Sequence, residues 1–252
     1  MNGLLEKFEQ DGYVILDCNE NELIESIDKK FENLIKNNDY STNSAIYSYN
    51  DKPRIVDAYK KIHEIKEFSQ NNVLIDFLKS FYKSNPLPFS NIAFKYGSEQ
   101  PLHSDYVHHG TVPELLLCGA WTALEDIKKG SGELIVVPKS HKLEIFKYKN
   151  YGLQKPKSLE EIKFNYSYYE KWVDETIANE GLIKTPIYPK KGQTVLWQAN
   201  LFHGGGKINN SLLTRKSFVI HYTFDDATLF YNPNFSFFKD SNDYFERSFD
   251  FF

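Results

Sequence analysis

The period of the hydrophobic pattern changes once along this chain, around Pro86 and Pro88, and that change limits the folds open to it. Before it the apolar residues recur at helical spacing. Leu23, Ile24, Ile27, Phe31, Leu34 and Ile35 form one such stripe, with Asn19 and Glu22 spaced as a capping box ahead of it. Ile62, Ile65, Phe68, Leu74, Phe77, Leu78 and Phe81 form another, which predicts a helix over 60–83 ended by the two prolines. A short strand is expected at 13–16. After Pro88 the apolar runs are short or alternating and bounded by Gly, Pro or Asn, at 92–96, 115–124, 133–137, 194–197 and 213–224. Helices followed by many strands predict a mainly β protein, a sandwich or jelly-roll core with a helical buttress.

Hydrophobic residues make up 41% of the 252, with 20 Phe and 17 Tyr, enough for a sizeable core. The formal net charge of −4 lacks the basic excess that nucleic acid would demand, so no nucleic-acid partner is expected. Cys18 and Cys118 stand far apart without metal-site spacing, as reduced buried thiols do. Acidic residues interrupt the N-terminal apolar positions where a secretory signal would be continuous, and no apolar run reaches membrane-span length. A cytoplasmic protein with no membrane partner is expected. Between the third and fourth long strands lies an insertion over about 141–189, rich in lysine at first (Lys142, Lys147, Lys149, Lys155, Lys157) and then helical over 158–179. It reads either as a functional lid or as a helix packed outside the sheet.

The stretch PLHSDYVHHG, residues 101–110, holds three histidines and an aspartate. In extended backbone His103 and Asp105 point to one side, so imidazole and carboxylate can reach the same ion. A facial triad needs one more histidine. His203 is best placed: it follows the strand TVLW and precedes Gly204, Gly205 and Gly206, where the backbone can turn sharply or approach a ligand closely. In the run SLLTRKSFVIHYTF, Leu213, Arg215, Ser217, Val219, His221 and Thr223 share one face of a strand. Both faces are largely apolar, so either could be inward. An inward Arg215 would need an anionic partner, and a small carboxylate gripped by Arg215 and Ser217 would serve; an outward Arg215 would simply be solvated.

Taken in order, FEQDGYVIL, H-S-D, ALEDI with GSGELIVVPKSHK, FHGGG and LTRKS resemble the phytanoyl-CoA dioxygenase family of iron(II)- and 2-oxoglutarate-dependent oxygenases, over about residues 8 to 224. The resemblance implies a double-stranded β-helix (a cupin-like jelly roll) in a single domain over 1–252. That domain divides into a helical part over about 1–88, a core over about 89–225 and an aromatic tail over 226–252. It implies Fe(II) held by His103, Asp105 and His203, 2-oxoglutarate held at its far carboxylate by Arg215 with Ser217 beside it, and O2 as oxidant. Trp121 resembles an aromatic that packs on the cosubstrate, and Gln100 a polar contact. His141 is expected at the pocket rim, in a turn where family members carry glycine at the position of Lys139. His108 and His109 have no place in the motif and are expected as loop residues near the mouth, and His221 as a satisfied strand histidine.

The activity implied is hydroxylation of an unactivated C–H bond, since related halogenases lack the carboxylate that Asp105 supplies. The substrate expected is a small molecule, either anionic, as the insertion's lysines suggest, or a carbohydrate, from similarity to a branch associated with polysaccharide modification. The aromatic tail is expected to cover the barrel or form a subunit contact. Two other readings stay open: a cosubstrate-free metal-dependent hydrolase or isomerase of cupin type, and a non-catalytic jelly-roll binding module.

Overall fold

A computed structural model describes residues 1–37, 52, 54–232 and 245–246. Its centre is a six-stranded antiparallel sheet in the order β1 (Tyr13–Asp17), β8 (Gln193–Gln198), β5 (Cys118–Ala123), β10 (Ser217–Phe224), β3 (Pro86–Phe94) and β2 (Arg54–Val56). Two three-stranded sheets complete the layering: β7 (Thr185–Ile187), β6 (Leu134–Val136) and β9 (His203–Gly205) form one, and β12 (Phe245–Glu246), β11 (Thr228–Tyr231) and β4 (His109–Val112) form the other. The two small sheets do not join into a closed barrel.

The large sheet is covered on both faces, which is why β10 reads apolar on both. Phe218, Ile220, Tyr222 and Phe224 turn outward onto α1 (Asn2–Asp11), α2 (Asn21–Lys36), α3 (Glu64–Phe68) and α4 (Asn72–Tyr82), packing with Phe8, Ile24, Ile27, Phe31, Phe68 and Phe77. Val219 turns inward with Trp121, Val195 and Trp197, against Leu134 and Val136 of β6 and Ile187 of β7. The predicted buttress and jelly-roll layering are both present. No helix among the described residues is long and apolar enough to cross a membrane.

Local departures have physical causes. Asn19 does not cap α2: it adopts φ 55°, its side chain donates to the Asp17 carbonyl, and Glu20 stands at the cap position. The predicted 60–83 helix is broken, because Asn71 accepts from the Leu74 N–H at 3.2 Å and starts α4 as a separate helix. The prolines do not end it. The chain leaves α4 at Lys83 (φ 59°), and Pro86 and Pro88 lie inside β3. There β3 pairs with β10 alone, since β2 reaches only Ile92, Ala93 and Phe94, and such a one-sided strand tolerates proline. Lys139 takes φ 72°, the conformation glycine would favour, so the turn is kept without glycine.

The insertion packs into the domain. Its helix α5 (Leu159–Asn179), capped by Ser158, buries Tyr166, Tyr169, Val173 and Ile177 against Val107, Val137 and Phe202. The Tyr169 hydroxyl accepts from the Ser104 N–H at 2.7 Å, so α5 braces the segment between His103 and Asp105. Of the tail, Thr228–Tyr231 is a strand paired with β4; residues 233–244 and 247–252 lie outside the described residues.

Candidate active site

The triad is brought together by backbone pairing. His103 and His203 face each other across an antiparallel bridge, each N–H donating to the other's carbonyl at 2.9 Å. The glycines after His203 make this approach possible: a Cβ on Gly204 would stand 2.7 Å from the Gln100 carbonyl oxygen, and one on Gly205 would stand 2.7 Å from the Glu99 nitrogen. The close approach is to the backbone of the 98–101 loop. His103, Asp105 and His203 are 5–6% exposed, and their ligand atoms lie within 4.8 Å of one another.

Each ligand candidate is oriented from behind. His103 Nδ1 lies 2.9 Å from the Pro101 carbonyl oxygen and His203 Nδ1 3.0 Å from that of Leu201. A carbonyl only accepts, so both Nδ1 atoms carry the proton and both Nε2 atoms keep the lone pair a metal would need. Gln100 donates its amide N–H to His103 Nε2 at 3.1 Å and accepts at its amide oxygen from Arg54 at 3.1 Å. Asp105 Oδ2 accepts from the Trp197 indole at 2.7 Å, which leaves Oδ1 towards His203 at 3.5 Å and His221 at 3.6 Å.

Burial opposes charge on the Asp105 carboxyl, but the adjacent imidazoles of His203 and His221 outweigh it and hold it well below the usual carboxylate range. Burial, with His203 and His108 nearby, pushes His103 well below the usual imidazole value, so it stands neutral as a ligand must. Two imidazoles and one carboxylate are the donor set of a non-haem Fe(II) facial triad.

Trp197→Phe removes the bond that fixes the Asp105 carboxylate. Outer-shell losses of this kind cost about 10–100-fold in metal affinity. We expect that weakening in an Fe(II) titration, with turnover recovering at saturating iron; an unchanged affinity would mean Trp197 does not orient the ligand.

The triad opens on a cavity of about 300 Å³ also lined by Gln100, Trp121 and Arg215. Arg215 is 2% exposed and lies against the rings of Phe94 and Trp121 at 5.3 and 5.4 Å. It is therefore inward, the alternative the sequence left undecided. Its Nε and the Trp121 Nε1 are buried without a hydrogen-bond partner among the described residues, two donors in one cavity with no acceptor. Burial and the neighbouring Arg54 pull the Arg215 guanidinium down to about 9, so it stays charged at neutral pH. An acceptor-rich dicarboxylate fits these groups. Ser217 is fully buried behind the cavity wall, and its hydroxyl donates to the Arg215 carbonyl.

The remaining histidines correct the sequence reading. His141 is not at the rim: it packs beneath Gly12 at the end of α1 and bonds the Glu9 carbonyl oxygen at 3.1 Å. His108, His109 and His221 all line the cavity, and His109 is in a strand rather than a loop. Burial, with His109 alongside, pushes His108 down to about 3. His221 is not satisfied, since its Nδ1 is buried without a partner among the described residues. Spacing could not reveal these positions, because β4 and a bulge in β10 between His221 and Tyr222 set where the rings point. None of the five insertion lysines lines the cavity.

The sequence model of the family described as Phytanoyl-CoA dioxygenase (PhyH) matches residues 8–217. The chain belongs to the phytanoyl-CoA dioxygenase family. Among its curated relatives, a probable phytanoyl-CoA dioxygenase of Caenorhabditis elegans is 27% identical over 200 residues, covering 72% of this chain and 60% of the relative. The peroxisomal phytanoyl-CoA dioxygenase of Homo sapiens is 29% identical over 138 residues, covering 53% and 36%. This family member thus spans only part of the length of the curated relatives it matches. Among solved structures, the epimerase SnoN from nogalamycin biosynthesis, in complex with Fe3+, alpha ketoglutarate and nogalamycin RO, superposes with TM-score 0.69 at 14% identity, covering 99% of this chain and 96% of that one. EctD from S. alaskensis with 2-oxoglutarate and 5-hydroxyectoine superposes with TM-score 0.63 at 16% identity, covering 89% and 76%. At such identities the phytanoyl-CoA dioxygenase family member shares their fold.

Proposed function

We propose that the chain is an Fe(II)- and 2-oxoglutarate-dependent dioxygenase that hydroxylates an unactivated C–H bond of a small molecule. One observation carries the reading: a buried His103–Asp105–His203 cluster and a buried Arg215 with an unpartnered Nε line the same cavity. A cosubstrate-free metalloenzyme would have no use for a guanidinium buried in its cavity, whose charge Glu133 and the Tyr96 carbonyl offset only in part and a bound anion would complete.

In this reading His103 and His203 would hold the iron through Nε2 and Asp105 through Oδ1, beside the cavity that would take the cosubstrate. Bound iron supplies the oxidation itself: O2 and 2-oxoglutarate are converted to succinate and CO2 while the substrate C–H becomes C–OH. Arg215 holds the distal carboxylate and fixes the cosubstrate's reach to the triad. Trp121 offers its indole face and N–H to it. Ser217 acts on Arg215 through the backbone rather than touching the cosubstrate, and Gln100, freed from His103 Nε2 once that atom binds iron, is available to a ligand oxygen. Phe94, Trp121, Val219 and Leu134 keep water from the reacting atoms. Asp105 occupies the position a halide would need, which favours hydroxylation. The free, buried thiols of Cys18 and Cys118 support a reducing compartment, and we place the protein in the cytoplasm.

Chelation tests the assignment. We expect stripping with EDTA to abolish CO2 release from 2-oxoglutarate, and Fe(II), but not Zn(II), to restore it. Restoration by Zn(II), or turnover that ignores 2-oxoglutarate, would favour a hydrolase or isomerase.

A further inference from the structure

The triad and Arg215 account for the middle and one end of the cavity. The register of the large sheet defines the other end. Along β10 the inward residues are Ser217, Val219 and His221, paired across to Phe94, Ile92 and Ser90 of β3. Four residue steps of strand separate Ser90 from Phe94, roughly 13 Å. At the Ser90 end, Phe89 touches the rings of His109 at 5.4 Å and His221 at 6.0 Å, and Tyr231 lies against His109 at 5.2 Å. The insertion adds Ile162 to the wall, and its Tyr166 stacks on the cavity-lining His108 at 5.6 Å.

The two ends differ in charge. Arg54 and Arg215 both lie at 5.3 Å over Phe94, at the near end. Asp105 is committed to the triad. Among the described residues, the other side chains lining the far end are imidazole, hydroxyl, phenol and aliphatic, with no lysine, arginine or carboxylate. His221 Nδ1 is a buried polar atom there with no partner among the described residues, as expected where a ligand hydroxyl belongs. The family match ends at residue 217, so Arg215 and the triad fall inside it while His221 and Tyr231 fall beyond it.

We propose that this end is the primary-substrate subsite and takes an uncharged, hydroxyl-bearing ring, a glycosyl unit being the chemistry that fits. The faces of Tyr231 and His109 meet the apolar face of the ring, and Ser90, His108 and His221 meet its hydroxyls. A phosphate would find no lysine or arginine lining that end among the described residues. The proposal rests on the dioxygenase reading above and adds the class of substrate to it.

The test uses the full chain loaded with Fe(II) and 2-oxoglutarate, and measures succinate formation with methyl glycosides of neutral hexoses and 6-deoxyhexoses beside the corresponding sugar phosphates and uronic acids. At least one neutral glycoside should raise the rate about fivefold or more over the substrate-free rate, with kcat/KM at least about tenfold above its charged counterparts. Ser90→Val and Tyr231→Ala should each raise the KM for that glycoside about tenfold, with the KM for 2-oxoglutarate moving far less. Leu212→Ala, at an exposed site remote from the cavity, should change neither. Ser90→Val alters one small side chain, so it keeps the test valid if Tyr231→Ala fails to fold. Stimulation by charged sugars alone, stimulation by none while 2-oxoglutarate still binds, or a glycoside KM indifferent to both substitutions would overturn the proposal. A wild-type protein that does not bind 2-oxoglutarate would instead bring down the dioxygenase reading, and this subsite with it.

Discussion

Asp105→Ala is expected to remove iron binding and turnover together. The two remaining imidazoles supply no negative charge, and the loss should exceed the 10–100-fold typical of outer-shell changes. Turnover should fall below about 1% of wild type at any practical iron concentration. The metal-free variant should still fold. Removing Asp105 strands the Trp197 indole N–H, at a cost of about 1–3 kcal/mol. It also removes the carboxylate that the imidazoles of His203 and His221 hold ionised. Both losses destabilise, so the melting temperature of the apo protein should fall by a few degrees, and iron should no longer raise it. Wild-type levels of substrate-linked succinate from Asp105→Ala would show that the ligand is another residue.

Arg215 carries the second large effect, and it falls on the cosubstrate. A hydrogen bond to a charged group contributes about 1.5–3 kcal/mol, so Arg215→Ala should raise the KM for 2-oxoglutarate by roughly 10–150-fold and leave iron affinity nearly intact. Arg215→Lys should not rescue it, because an ammonium cannot reproduce the planar fork that grips a carboxylate. Stability should move the other way. The guanidinium is 2% exposed, and burial with Arg54 nearby lowers its pKa, a mark of an inadequately compensated charge. Arg215→Met, which fills the space between Phe94 and Trp121 with an uncharged chain, should therefore raise the melting temperature of the ligand-free protein while crippling cosubstrate binding. A variant that is both less stable and unaffected in its 2-oxoglutarate KM would place the arginine in a purely structural role.

What could be seen in the sequence and what could not divides along physical lines. His103, Asp105 and His203 were legible because ligand chemistry fixes residue type, and because the glycines after His203 announce a close backbone approach. The helical stripe from Leu23 to Ile35 was legible because only one face of α2 is buried. β10 was ambiguous for the opposite reason: a central strand covered on both faces has no polar side to mark its orientation. α1 was missed because it buries only Phe8 and has neither a side-chain cap nor an acid in its first turn. Asn19 misled because a cap is a matter of φ and ψ as much as of spacing, and its side chain instead turns back to Asp17. The cavity roles of His108, His109, His221 and Tyr231 depend on how β3, β4, β10 and β11 stack, a tertiary fact that no local spacing encodes.

The central claim is that one cavity holds Fe(II) on the triad and 2-oxoglutarate between that metal and Arg215. Its most direct test is an anaerobic titration of the metal-free protein with Fe(II) and then 2-oxoglutarate, followed by the weak visible charge-transfer band of the chelated complex. The account predicts a saturable band in the wild type, a much weaker affinity for 2-oxoglutarate in Arg215→Ala, and no band in Asp105→Ala. Iron demonstrably bound, with no band at any 2-oxoglutarate concentration, would contradict it.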